Sequence, residues 1–158
     1  STSVRARPPW KFVLIVMVLC VVKPNIGRFF LGFFYLIMAI GINMVNALTD
    51  PLPTVQMGEA SLLPLYRTLF SEIVSKAPAL FIMAIALFEL AMGLLILSSH
   101  KKVKLGLIGA SIFLILITPF GFIQLPWLGI AVIQFYLLRF DFDKNFPATI
   151  VTAFRKSR

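Results

Sequence analysis

Apolar residues fill the chain in long runs divided by short polar breaks. The run over 78–98 is long enough to cross a bilayer, since a helix rising about 1.5 Å per residue needs about 20 apolar residues to span roughly 30 Å of hydrocarbon. It holds one charged residue, Glu89, near its middle. Runs over 29–48, 105–123 and 125–140 predict three further crossings, the last short enough to need a small tilt or a thinned bilayer. The run over 12–22 lies between Lys11 and Lys23 and stops at Pro24. It is too short for an ordinary span and predicts a helix at the cytoplasmic interface or against the bundle. No A-x-A-like site follows it, so a secretory leader is not expected.

Two other segments alternate with helical periodicity. Over 61–76, Leu62, Leu65, Tyr66, Leu69, Phe70 and Ile73 share one face, while Arg67, Ser71, Glu72, Ser75 and Lys76 take the other. Near the C-terminus, Phe146, Ile150, Val151 and Phe154 form one stripe. Both patterns predict helices lying in the membrane interface. Glu72 and Lys76 are spaced to pair at i, i+4. The expected fold is all-α: a polytopic membrane four-helix bundle over 26–140, with short interfacial helices at the N-terminus (1–25), in the first outer loop and at the C-terminus (141–158).

Composition agrees and adds a direction. The 158 residues are 59% hydrophobic, which places the chain in the membrane class as one domain. Fifteen Lys and Arg against six Asp and Glu give a net charge of +9. These charges flank the apolar runs, so the expected partners are membrane lipids, anionic headgroups included, and not nucleic acid. Most of the basic residues lie in the N-terminal segment, the 98–104 loop and the C-terminal tail. The positive-inside rule then predicts both termini on the cytoplasmic side, as in a bacterial inner membrane protein. One cysteine, Cys20, and one histidine, His100, are too few for an internal disulfide, a Cys/His zinc site, a CxxC pair or bis-His haem ligation. No intrinsic cofactor, metal site or catalytic group is expected. Cys20 reads as a packing residue, with palmitoylation the alternative.

An acid at mid-bilayer costs about 2.5–3.5 kcal/mol on insertion scales, so Glu89 is expected to face other helices. Counting turns from the span limits brings Tyr35, Asn43, Ser111, Thr118 and Gln134 to its level, and Glu89, Asn43, Tyr35 and Gln134 form the candidate polar site. The apolar surroundings disfavour the charged form, so a neutral carboxyl is expected at neutral pH unless a cation reaches it. Glu89 then either binds a small ligand or moves a proton, or it holds helices together by hydrogen bonds. Asn43 and Asn46 read first as interhelical or helix-end hydrogen-bonding groups and second as the lining of a polar pocket. Arg28 reads as a topology anchor at a helix entrance, with Asp141 and Asp143 as ion-pair partners. The aromatic run Phe29, Phe30, Phe33, Phe34 and Tyr35 reads as packing. Gly32, Gly41, Gly93, Gly106 and Ala110 mark sites where helices approach closely.

Three features together resemble the DoxX-like family of small four-helix membrane proteins. These are Arg28-x-x-x-Gly32 with Gly41 further along, Glu89-x-x-x-Gly93, and a basic hairpin from Lys101 to Lys104 before a span containing Gly106. The resemblance covers about 26–140. It implies a membrane subunit of an oxidoreductase system, of the thiosulfate:quinone type among others, or an assembly or lipophile-binding protein, with lipid or quinone as the bound molecule. Three functions stand beside one another, the second drawn from the resemblance and the other two from the residues. The first is an accessory or structural subunit of a larger membrane complex, partnered by other membrane subunits and without its own redox centre. The second is a quinone-linked oxidoreductase subunit whose electrons come from a partner. The third is a protein that binds a small lipophile in a pocket under the 62–76 helix, with Glu89 and Asn43 at its polar end.

Overall fold

The computed structural model describes residues 8–157. Arg5, Arg7 and Arg158, which enter the charge balance above, lie outside the described residues. Among the described residues the regular structure is entirely helical. A chain buried in hydrocarbon has no water to bond its backbone, and helices satisfy those groups internally. The elements are α1 (Trp10–Val22), α2 (Pro24–Ile37), a π-helical segment (Met38–Met44), α3 (Val45–Thr49), α4 (Leu52–Glu59), α5 (Pro64–Glu72), α6 (Pro78–Ile96), α7 (Lys101–Ile117), α8 (Trp127–Leu137) and α9 (Phe146–Lys156). Helices α2, α5 and α6 open on a proline, where the missing N–H is one the helix leaves unpaired anyway.

Three continuous stretches are long and apolar enough to cross a membrane: Pro24–Thr49, Pro78–Ile96 and Lys101–Phe120. The fourth apolar stretch, Phe122–Leu137, is shorter, and so is α1. Helices α2, α6, α7 and α8 pack in sequence, and α1 lies between α8 and α2, closing the ring. Of its two expected positions the N-terminal helix thus takes the one against the bundle. Val13, Val16 and Cys20 are fully enclosed there, in the same core as Leu31, Tyr35, Leu107, Ile130 and Leu137. Two contacts explain the fit. Cys20 lies so close to Gly27 that a methyl group there would stand 2.6 Å from its Cα, so only glycine allows the hairpin between α1 and α2. Phe12 packs on Phe34 and Trp127 at centroid distances of 5.3 and 6.1 Å.

Helix α1 therefore begins level with the start of α8 and runs beside it toward Lys23. The loop after α6 and the start of α9 lie at the other end, where the His100 amide donates to the Phe142 carbonyl at 2.7 Å and the Phe146 amide to Leu97 at 3.0 Å. The first described residues and α9 thus occupy opposite ends of the bundle, whereas the charge pattern places both termini on one side.

Between α2 and α6 the fit is set by Gly32 and Gly93. A Cβ at Gly93 would stand 2.9 Å from the Gly32 carbonyl oxygen, so the two backbones touch. Gly106 and Ala110 lie on the buried face of α7. Gly41 has only a side chain of its own helix nearby, and its expected helix contact is absent. At one end of the bundle α4 and α5 form a lid around Val55, Phe70 and Val74. The Leu62 amide donates to the Pro119 carbonyl at 2.8 Å, and the Tyr66 hydroxyl to Leu116 at 2.7 Å, tying the lid to the end of α7. Helix α4 has no counterpart in the sequence pattern, where Asp50-Pro51-Leu52-Pro53 reads only as a breaker. Helix α5 ends at Glu72, so Glu72 and Lys76 are not in helical register and form no ion pair.

Candidate functional site

Two charged side chains are buried among the described residues, Arg28 of α2 against the end of α6, and Glu89 of α6 against the π-helical segment. Their environments differ. At the basic end of the bundle, Arg28 Nη1 donates to the carbonyls of Ile96 (2.8 Å) and Ser98 (2.7 Å), Nη2 to the carbonyl of Lys144, and Nε to Asn25 Oδ1 (2.8 Å). The guanidinium also lies over the rings of Phe29 and Phe142, at 4.2 and 4.6 Å. Neither Asp141 nor Asp143 is its partner, against the sequence expectation. Asp141 pairs with Lys104 at 2.8 Å, and Asp143 stands 3.8 Å from His100. The hydrogen bond and charge of Lys104 hold the Asp141 carboxyl below the ordinary carboxylate range. The reason for the exchange lies in α7. It begins at Lys101, so three lysines expected in a loop sit in its first turn, where the helix dipole disfavours positive charge and neighbouring carboxylates are drawn in.

Glu89 sits deeper in the bundle and is 4% exposed. Asn43 Nδ2 donates to its Oε2. Its second carboxyl oxygen accepts no hydrogen bond among the described residues, yet no enclosed polar side-chain atom there is left unpaired. That oxygen is open to a cavity of about 250 Å³. Asn43 reaches it because the π-helical turn Met38–Met44 changes the register of the long helix. Such turns recur at functional sites. Asn43, Asn46 and Tyr35 then face the same cavity.

Tyr35 and Gln134, the other two candidates, do not bond Glu89. The Tyr35 hydroxyl donates to Gln134 Oε1 at 2.9 Å, Gln134 Nε2 to Ser111 Oγ at 3.3 Å, and Ser111 Oγ to the Leu107 carbonyl at 2.7 Å. This closed chain crosses from α2 through α8 to α7 and satisfies every member. Thr118 bonds the Leu114 carbonyl of its own helix.

The cavity runs from Glu89 toward the lid. Its walls carry seven aromatic residues, Phe34, Tyr35, Phe70, Phe81, Phe113, Phe120 and Trp127, and its far rim is Thr54, Met57 and Gln124. A second, almost wholly apolar chamber of about 390 Å³ adjoins it, sharing Phe70, Phe81, Phe113 and Phe120. It is bounded by Leu69, Ile73 and Leu116, whose side chains are exposed on the outside of the bundle. Sequence reasoning names Glu89 and Asn43 and the 62–76 helix above them, but misses Phe81, Phe113, Phe120 and Trp127. In an apolar sequence nothing distinguishes these rings from core or lipid-facing ones. No cluster of His, Cys, Asp and Glu able to hold a metal occurs among the described residues.

Compared with protein-family models, with curated proteins and with solved structures, the chain finds no match in any of the three. Gly32 and Gly93 meet where α2 packs on α6, Arg28 reaches the end of α6 from α2, and Glu89 faces Asn43 of the π-helical segment.

Proposed function

We propose that this membrane protein binds a small amphiphile, its polar head on Glu89 and Asn43 and its apolar body along Phe70, Phe81 and Phe113. The observation that carries the reading is the open Glu89 oxygen at the floor of an aromatic cavity under the α4–α5 lid. Pockets for small molecules combine apolar walls with a few convergent polar groups, and an ionisable residue inside a membrane marks function more often than stability. The interhelical bond alone is worth only about 0.6 kcal/mol, a weak return for placing an acid at that depth. The quinone-linked reading implied by the DoxX-like resemblance is the redox case of the same proposal, with electrons supplied by a partner. The positive-inside rule puts the end bearing Lys101, Lys102, Lys104, Arg155 and Lys156 in the cytoplasm, the lid facing outward, in a bacterial inner membrane.

Native mass spectrometry of the chain extracted from its own membrane in mild detergent tests this. A small retained mass is expected on the wild type and not on Ile85→Trp, whose indole fills the cavity. A chain held in a large heteromeric assembly, with no small adduct, would replace this reading by the accessory-subunit one.

A further inference from the structure

The class of amphiphile follows from the charge of the lining. Among the described residues Glu89 is the one carboxyl in the cavity wall, and no Lys, Arg or His lines either chamber. Such a site offers an anionic head no countercharge, only the neutral donors of Asn46, Thr54 and Gln124, and Glu89 repels it. Its aromatic walls present ring faces, whose negative quadrupole attracts cations. The neutral polar groups are also arranged for a positive guest. Asn43 turns one amide N–H to Glu89 and leaves its carbonyl oxygen unpaired among the described residues, and the Tyr35 hydroxyl proton is committed to Gln134.

Resting on the amphiphile-binding reading above, we infer that the ligand is an organic cation, an amine or quaternary ammonium with an apolar body. Its head lies against Glu89 between Phe34 and Trp127. Its body enters the second chamber, between Phe70, Phe81 and Phe120. The four rings shared by the two chambers hold the junction between head and body. Exposed Leu69, Ile73 and Leu116 surround the second chamber on the bilayer-facing side, so the route in is lateral. A positive head beside Glu89 also supplies the countercharge that its own helix withholds.

The test uses two probes of one shape, benzyltrimethylammonium and neopentylbenzene, which differ in a single charged atom. Binding of each to the full chain in mild detergent is read by titration at fixed pH. The wild type is expected to prefer the cation by about tenfold. Glu89→Gln, which keeps shape and hydrogen bonding, is expected to abolish that preference and leave neopentylbenzene binding within about twofold. Equal binding of both probes to the wild type would overturn the cation assignment while leaving the amphiphile reading intact. Binding of neither probe, with no change in thermal unfolding, would overturn both. The wild-type comparison needs no variant, so a Glu89→Gln chain that fails to fold leaves the result decisive.

Discussion

Arg28 and Glu89 both stand where α6 meets the continuous stretch Pro24–Thr49, and they are almost equally hidden from the outside. One is finished and the other is not. Arg28 makes four hydrogen bonds, three of them to carbonyls at the end of α6, in the following turn and before α9, so it closes three segments into one knot. Glu89 makes one hydrogen bond and turns its other oxygen to a cavity. A buried charge is tolerated when its surroundings satisfy it. Where the protein supplies all the partners the charge is architecture. Where it supplies half of them, beside a shaped space, the rest is left to a guest. The same contrast holds between the two ends of the bundle, with backbones in contact at Gly32 and Gly93 and chambers open toward the lid.

The sharpest way to break the comparison is Arg28→Met. It fills the space but leaves three carbonyls without their donor, and a loss of about 3 kcal/mol or more is expected. Thermal unfolding in detergent reads it, and a melting temperature unchanged from the wild type would show that the knot does not hold the basic end. Next in size is Gly93→Ala. Its methyl meets the Gly32 carbonyl, and separating α2 from α6 is expected to cost about 1–3 kcal/mol, whereas Gly41→Ala, with open space around it, should stay within about 0.5 kcal/mol. Similar losses for both would mean that backbone contact is not what sets the spacing.

Glu89→Gln is expected to change unfolding stability by less than about 1 kcal/mol, because the amide keeps the bond to Asn43 once flipped. A loss as large as that of Arg28→Met would make Glu89 architecture after all. The smallest effect concerns the exposed pair at the basic end. The Asp141 carboxyl is held below its ordinary range by Lys104, so its contribution is present above about pH 4 and fades as pH falls through the carboxylate range. Asp141→Asn should flatten the acid limb of the stability curve slightly, and an unchanged limb would assign that region to other groups.

Much of this was legible without coordinates. The 78–98 and 29–48 runs are legible as helices long and apolar enough to cross a membrane, where a backbone has to bond itself internally. An acid in the first of them has to face inward. Periodicity also marks α5 and α9, whose polar faces stay wet. Arg28 had to find partners, but the sequence alone suggested carboxylates. Its neighbours turned out to be carbonyls, because the turn after α6 and the segment before α9 converge on it while Asp141 is drawn to Lys104.

Span length, helical faces and the need to satisfy a buried charge are local properties, and the order of residues sets them. Which group does the satisfying is not local. The seat of α1 between α2 and α8 depends on Gly27 meeting Cys20. The aim of Asn43 depends on a π-helical turn that its residues do not announce. The cavity exists because four separate helices bring Phe70, Phe81, Phe113 and Trp127 to one place. In a sequence that is apolar on nearly every face, hydrophobicity says that these residues avoid water, and only packing says what they face instead.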